Sequence, residues 1–199
     1  MKKSRLYYML LALTLVVGGW QVGQGVYIYA KAQLAQYLML SAWEKSRQTG
    51  RPVKPWPWAD TWPVARLRVP SMNVDLIVLA GDTGRTLAFG PGYRLGTVRP
   101  GETGNSVISA HRDTHFHFLK RLRIGDELFI ENQRGEKKRF VVNNTHIIDA
   151  RSARIVTDYE QPMITLVTCF PFDSITTGGP LRFVVIATQV DQPIEGILV

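Results

Sequence analysis

Cysteine is almost missing from this chain: Cys169 is the only one in 199 residues. That excludes an internal disulfide framework, and in an exported protein it marks a lone thiol worth testing for reactivity. Acids are scarce too, 16 Asp and Glu against 24 Lys and Arg, for a formal net charge of +8. Such a surplus suits nucleic acid, an anionic membrane surface or an acidic wall polymer. Nucleic acid is not expected, because the basic residues form short groups rather than one helix face or arm. Lys120, Arg121 and Arg123 make one such group, and Arg134, Lys137, Lys138 and Arg139 another. No RNP, helix-turn-helix or zinc-finger spacing is found, and neither internal repeats nor low-complexity segments stand out. What is present is ordinary for a folded protein: 45% apolar and 20% charged residues, in a length that allows one domain with a core and an appendage.

Residues 6–30, "LYYMLLALTLVVGGWQVGQGVYIYA", carry no charge and follow Lys2, Lys3 and Arg5. That length spans a bilayer as a helix, and basic residues ahead of it put the N-terminus in the cytoplasm. A cleaved signal peptide is the competing reading, since Ala30-Lys31-Ala32 has the small-x-small form of a cleavage site. The run is longer than a signal core, which favours an uncleaved anchor. Residues 31–50 repeat Leu34, Tyr37, Leu38 and Trp43 at helical spacing, with Gly50 and Pro52 as a stop. Residues 51–67, "RPVKPWPWADTWPVARL", are dense in Pro and Trp. They read as an extended strap whose tryptophans dock on the domain. The expected organisation is a cytoplasmic tip and transmembrane signal anchor (1–30), a juxtamembrane helix and strap (31–63), and the main folded domain (64–199).

From Val64 onward the pattern is all-β. "VARLRV", "VDLIVLA", "NSVISA", "DELFIEN", "KRFVVNNTHII", "MITLVTC" and "LRFVVIATQV" are short, β-branched and bounded by turn residues. Short helical pieces are expected near 86–89 and 115–122. Seven or eight strands at this spacing point to a closed barrel or a sandwich.

Taken alone, a single cysteine at a strand end reads as a buried, inert side chain. Its company argues otherwise. His111 ends the apolar strand in "SVISAHRD", and Arg182 opens the last strand in "GGPLRFVV". If strand ends converge, a thiol, an imidazole and a guanidinium meet. Cys169 is then a candidate nucleophile, His111 a proton carrier for it and for a leaving amine, and Arg182 a donor to an oxyanion.

"TLVTC" at 165–169 matches the TLxTC signature of sortases, cysteine transpeptidases of bacterial surfaces. "CFPFDSITTGGPLRFVV" (169–185) and "GNSVISAHRDTHFHFLKRLRIGDELFI" (104–130) resemble that family's stretches around its arginine and its histidine. The similarity covers about 64–188, with one departure: Ala110 stands where many sortases have Gly. The N-terminal helix and Pro/Trp strap resemble the Gram-negative subgroup. The resemblance implies an eight-stranded sortase-type β-barrel with short helices, preceded by a transmembrane helix, and catalysis by Cys169, His111 and Arg182. It implies cleavage of an LPxTG-like C-terminal sorting motif of one or few target surface proteins, a thioester acyl-enzyme, and transfer to an amine acceptor. It also implies a single-pass inner-membrane protein with its catalytic domain in the periplasm. A cysteine hydrolase releasing the target to water, and a non-catalytic tethering barrel, are the rival classes.

Neither a cofactor nor a metal site is expected. His111, His115 and His117 form H-x3-H-x-H, with only Asp113 as a nearby acid, and His115 and His117 read as packing or surface residues. Calcium is not expected either, because Glu102, Asp158 and Glu160 are sparse and Arg151 and Arg154 lie close by. Asp113 or Thr114 is expected to cap the following helix. Residues 149–162 are expected to wall or cover the substrate cleft. Thr168, beside Cys169, is a candidate substrate-binding residue, although strand alternation equally packs it elsewhere.

Overall fold

The computed structural model describes residues 2–154, 156, 160–174 and 178–190, with side chains from Leu6 onward. It divides into two compact units, Met1–Leu38 and Met39–Val199.

The first unit is the N-terminal length of a helix, α1 (Lys2–Thr49). Leu10, Leu13, Val16, Trp20 and Tyr27 are each more than half exposed. A helix that is apolar on all sides and exposes those side chains suits lipid rather than water. The helix includes a stretch long and apolar enough to cross a membrane.

The second unit opens with the last turns of α1, where the surface changes character. Met39, Ala42, Trp43 and Ser46 are all buried, the i, i+3, i+4, i+7 stripe of a helix packed on protein. Its C-terminal end is fastened by Arg47 to Glu131 (3.4 Å) and by Ser46 Oγ, which accepts the Val53 N–H at 3.0 Å. Gly50, at φ +66°, ends the helix. The strap that follows is irregular and docked. Thr61 Oγ1 donates to the Ala80 carbonyl at 2.7 Å, and Trp56 sets its ring edge-on to Phe89 at 5.1 Å. Trp58 departs from the expectation: it is 82% exposed, so one strap tryptophan does not dock.

Eight strands close a barrel: β1 (Pro63–Val69), β2 (Val74–Ala80), β3 (Gly92–Tyr93), β4 (Gly104–Ser109), β5 (Glu127–Asn132), β6 (Lys137–Asp149), β7 (Pro162–Cys169) and β8 (Leu181–Val190). Their order around the wall is β1-β2-β3-β4-β7-β8-β6-β5, with β5 paired back to β1. Every strand has a neighbour on both sides, which settles the choice between barrel and sandwich. Pairings are antiparallel except β2/β3 and β4/β7. Alternation fills the interior: Ala65, Leu67 and Val69 of β1 are fully buried and meet Leu128, Ile130, Phe140, Ile164, Leu166 and Val185 in one core. On the outer face of β1, Arg66 forks Asp75 with two 2.6 Å bonds. The two-residue β3 depends on Gly92, where a Cβ would collide with the Gly81 carbonyl. A short helix, α2 (Gly84–Leu87), and a 3-10 turn at His117–Arg121 interrupt the strands.

Candidate active site

Two registers converge at one end of the barrel. In the parallel pair β4/β7, Ser109 stands level with Val167. The Ala110 N–H continues the ladder by donating to the Val167 carbonyl at 3.2 Å. Two residues on, the chain leaving β4 reaches His111 as β7 reaches Cys169. In the antiparallel pair β7/β8, Cys169 lies directly opposite Arg182. The three predicted residues, 58 and 13 positions apart in sequence, thus share one rim because of which strands pair and in which register. His111 is exposed, and Cys169 and Arg182 are half-buried, so all three can be reached by a ligand.

Arg182 is held at its base. Its Nη1 donates to the Gly179 carbonyl at 2.6 Å and to the Leu181 carbonyl at 2.8 Å. A guanidinium has five N–H donors, so the Nε and Nη2 side of the fork adds three more. Beside it, the rings of Phe170, Phe172 and Phe183 pack together, Phe172 against Phe183 at 5.3 Å and Phe170 against Phe183 at 6.5 Å. The Phe170 N–H donates to the Leu181 carbonyl at 3.1 Å. The residue after Cys169 is therefore tied to the strand that carries Arg182.

Arg112, not singled out from the sequence, is the most buried charged side chain near the rim, with 6% of its surface exposed. Nη1 donates to the Pro171 carbonyl and Nη2 to the Ser174 carbonyl, both at 2.6 Å, while Nε reaches Asp113 Oδ1 at 3.2 Å. The signal that was available is a basic residue directly after the histidine. Lys120 adds an outer tie to the same segment through Asp173 at 2.7 Å, and this contact holds the Asp173 carboxyl below its ordinary value.

Cys169 and His111 line two cavities. One is a cleft of about 700 Å³ that Arg182 also lines, with Leu87, Val107, Ile148 and Val167 as apolar walls and Arg94 and Arg154 among its charged lining. The other, about 410 Å³, is lined by Arg112, Phe170, Pro171, Ser174 and the glycines at 178 and 179. An apolar-walled cleft with cationic groups suits an extended peptide, and a thiol and an imidazole at its end suit acyl transfer.

The remaining predicted residues fall as follows. Thr168 is 2% exposed, and its Oγ1 donates to the Ala110 carbonyl at 2.8 Å, so the hydroxyl is spent on the backbone beside His111. Neither Asp113 nor Thr114 caps the 3-10 turn, whose N-cap is Phe116 with no side-chain bond. Asp113 turns to Arg112 instead, because a buried guanidinium attracts the nearest carboxylate more strongly than a short turn does. His115 is half-buried, and burial followed by the charge on His111 lowers its pKa from the ordinary 6.5; His117 is exposed. Among the described residues no group of three or more His, Cys, Asp or Glu converges to hold a metal ion. Glu102 lines a separate polar cavity with Arg47, Arg99 and Lys138, and Asp158 lies outside the described residues. Of the expected cleft cover, Ala150, Ala153 and Arg154 line the larger cleft. Arg151 forks Asp149 at 2.6 Å, which pulls the Asp149 carboxyl down to about 2. Residues 155 and 157–159 of that segment lie outside the described residues.

A family profile described as the Sortase domain matches residues 67–190. Sortase D of Bacillus subtilis (strain 168) is 32% identical over 125 residues, 62% of each chain. The chain thus spans somewhat less than two thirds of that curated relative. Among solved structures, sortase A from Corynebacterium diphtheriae superposes with a TM-score of 0.61 at 26% identity, covering 70% of this chain and 66% of that one. Sortase C-1 from Actinomyces oris superposes with a TM-score of 0.55 at 29% identity, covering 65% and 76%.

Proposed function

The chain belongs to the sortase family, and from that premise we propose that it is a membrane-anchored cysteine transpeptidase. Its substrate is an LPxTG-like C-terminal sorting motif of one or few target surface proteins, and its second substrate is an amine. The thiolate of Cys169 attacks the scissile carbonyl, the S–C bond forms, and Arg182 donates to the oxyanion. As the C–N bond breaks, His111 gives its proton to the leaving amine and a thioester remains. An incoming amine attacks the thioester, loses its proton to His111 and releases Cys169. Thr168 contributes through the backbone it holds in register with the histidine. The extended substrate lies in the 700 Å³ cleft, whose apolar walls receive the Leu-Pro part of the motif. In this reading α1 anchors a Gram-negative inner-membrane protein with the barrel in the periplasm.

The observation that carries the proposal is the pair of registers bringing positions 111, 169 and 182 to one rim. The test is to trap the thioester from sorting-motif peptide libraries by mass spectrometry. We expect a peptide adduct on Cys169 that decays faster with added amines, and no adduct in Cys169→Ala. An adduct that survives Cys169→Ala would sink the assignment. A thioester that water resolves at the same rate with and without amines would make the enzyme a hydrolase.

A further inference from the structure

Arg112 directly follows His111 and is buried. Burying a guanidinium is costly unless its donors are satisfied, and this one is 6% exposed. Asp113, a carboxylate within salt-bridge reach, is itself 63% exposed. The strong bonds go elsewhere, to two main-chain carbonyls 59 and 62 positions along the chain, those of Pro171 and Ser174. Both are 2.6 Å bonds from a planar fork, the geometry in which arginine orients its partners most firmly.

The two ends of this clamp are informative. One end is the residue directly after His111. The other is the segment directly after Cys169, whose carbonyls lie beyond the end of β7 and outside any ladder. We infer that Arg112 is a positioning residue: it fixes the segment leaving Cys169 to the segment leaving β4, and so holds the thiol and the imidazole in register beyond the last ladder bonds between β4 and β7. The inference rests on the reading of Cys169 and His111 as the reacting pair. Arg112 lines the 410 Å³ cavity and not the 700 Å³ cleft that receives the peptide. Its loss therefore disturbs the reacting geometry more than peptide binding.

The test uses the full-length protein in detergent, with Arg112→Met, which keeps bulk but no donors, and Arg112→Lys, which keeps charge but no fork. Misplacing reacting groups by about 1 Å costs on the order of a hundredfold. We therefore expect Arg112→Met to lower kcat about ten- to a hundredfold per titratable thiol, with KM for a sorting peptide within about twofold. Arg112→Lys is expected to recover part of the loss. Amide hydrogen exchange over Phe170–Ser174 should quicken about tenfold in Arg112→Met while the strand amides keep their protection. A kcat within about twofold of the parent, or a rise in KM with kcat unchanged, overturns the inference. If Arg112→Met does not fold, Arg112→Lys is judged by the same kcat and exchange criteria. If the parent protein itself cleaves no sorting peptide, the transpeptidase reading fails. The clamp is then judged by exchange alone, and unchanged exchange at Phe170–Ser174 overturns it.

Discussion

Replacing Arg182 tests the proposed chemistry at the point where geometry makes the sharpest demand. Cys169 and Arg182 are direct partners across β7/β8, so their Cα atoms stand about 4.5–5.5 Å apart and their side chains share a face. Nη1 is committed to the Gly179 and Leu181 carbonyls, which leaves the Nε and Nη2 side of the fork to meet an oxyanion formed at the sulfur. A preorganised oxyanion donor is worth about 2.7–4 kcal/mol, or roughly 10² to 10³ in kcat. Arg182→Gln loses the charge and the fork, and we expect a kcat loss near the upper figure. Arg182→Lys keeps the charge and should fall near the lower one. KM should stay within about twofold, because the donor acts on charge that develops only in the transition state. The Leu181 carbonyl keeps the Phe170 N–H as a donor and Gly179 is exposed, so the stability cost should be only about 1 kcal/mol. The assay is steady-state cleavage of a fluorogenic sorting peptide, normalised to thiol titre. A tenfold rise in KM with kcat unchanged would show that Arg182 binds the ground-state peptide, and the oxyanion role would be wrong.

Two further perturbations probe how the barrel is held. Glu131 has a side chain only 5% exposed and bridges Arg47 and Arg68. Breaking a buried pair costs about 3–5 kcal/mol, and since both arginines are about a third exposed, Glu131→Gln should cost about 1–3 kcal/mol. At about 2–4 °C per kcal/mol for a chain of this size, the melting temperature should fall by roughly 2–12 °C; no change would mean that α1's last turns are held by packing alone. His115 gives a pH test. Its folded pKa lies below 6.5, so the unfolded chain binds the proton more readily. The neutral side chain's contribution is complete above pH 6.5 and is lost as pH falls towards the folded value. His115→Gln should show a smaller drop in melting temperature between pH 7.5 and 5.5 than the parent. Equal drops would contradict the shift.

The strands that carry the site were legible because each writes its own pattern. β1, β2, β4, β5, β6, β7 and β8 all read as short β-branched runs, and their strands cover those segments except Ala110 after β4 and Asp126 before β5. β3 was not legible: it has two residues, Gly92 and Tyr93, too few for a period-2 pattern to appear, yet it bridges β2 to β4 in the wall. Trp58 shows the opposite error. Composition marked the strap as sticky, but which tryptophan docks depends on where Phe89 happens to lie, and Trp56 takes that place. Asp113 failed as a cap for a related reason, since its partner is a buried charge next door that sequence burial patterns do not reveal.

Arg112 shows where local reading stops. The sequence exposes the histidine, the thiol and the arginine of the site through their order and the strands they end. What keeps them in register past those strand ends is decided by contacts about sixty residues apart. A parallel pair such as β4/β7 aligns two chains only as far as its ladder runs, and here the last register pair, Ser109 with Val167, stops two residues short of His111 and Cys169. Some group must carry alignment across that gap. Thr168 does so from the β7 side through Ala110, and Arg112 does so from the β4 side through Pro171 and Ser174. The Thr168 bond and the two Arg112 bonds run in opposite directions between the same pair of segments, so neither segment can slide without breaking one of them. His111 stands just past the end of β4 and Cys169 at the end of β7, where a ligand reaches both groups, and these crossed bonds supply the rigidity that the β4/β7 ladder no longer does.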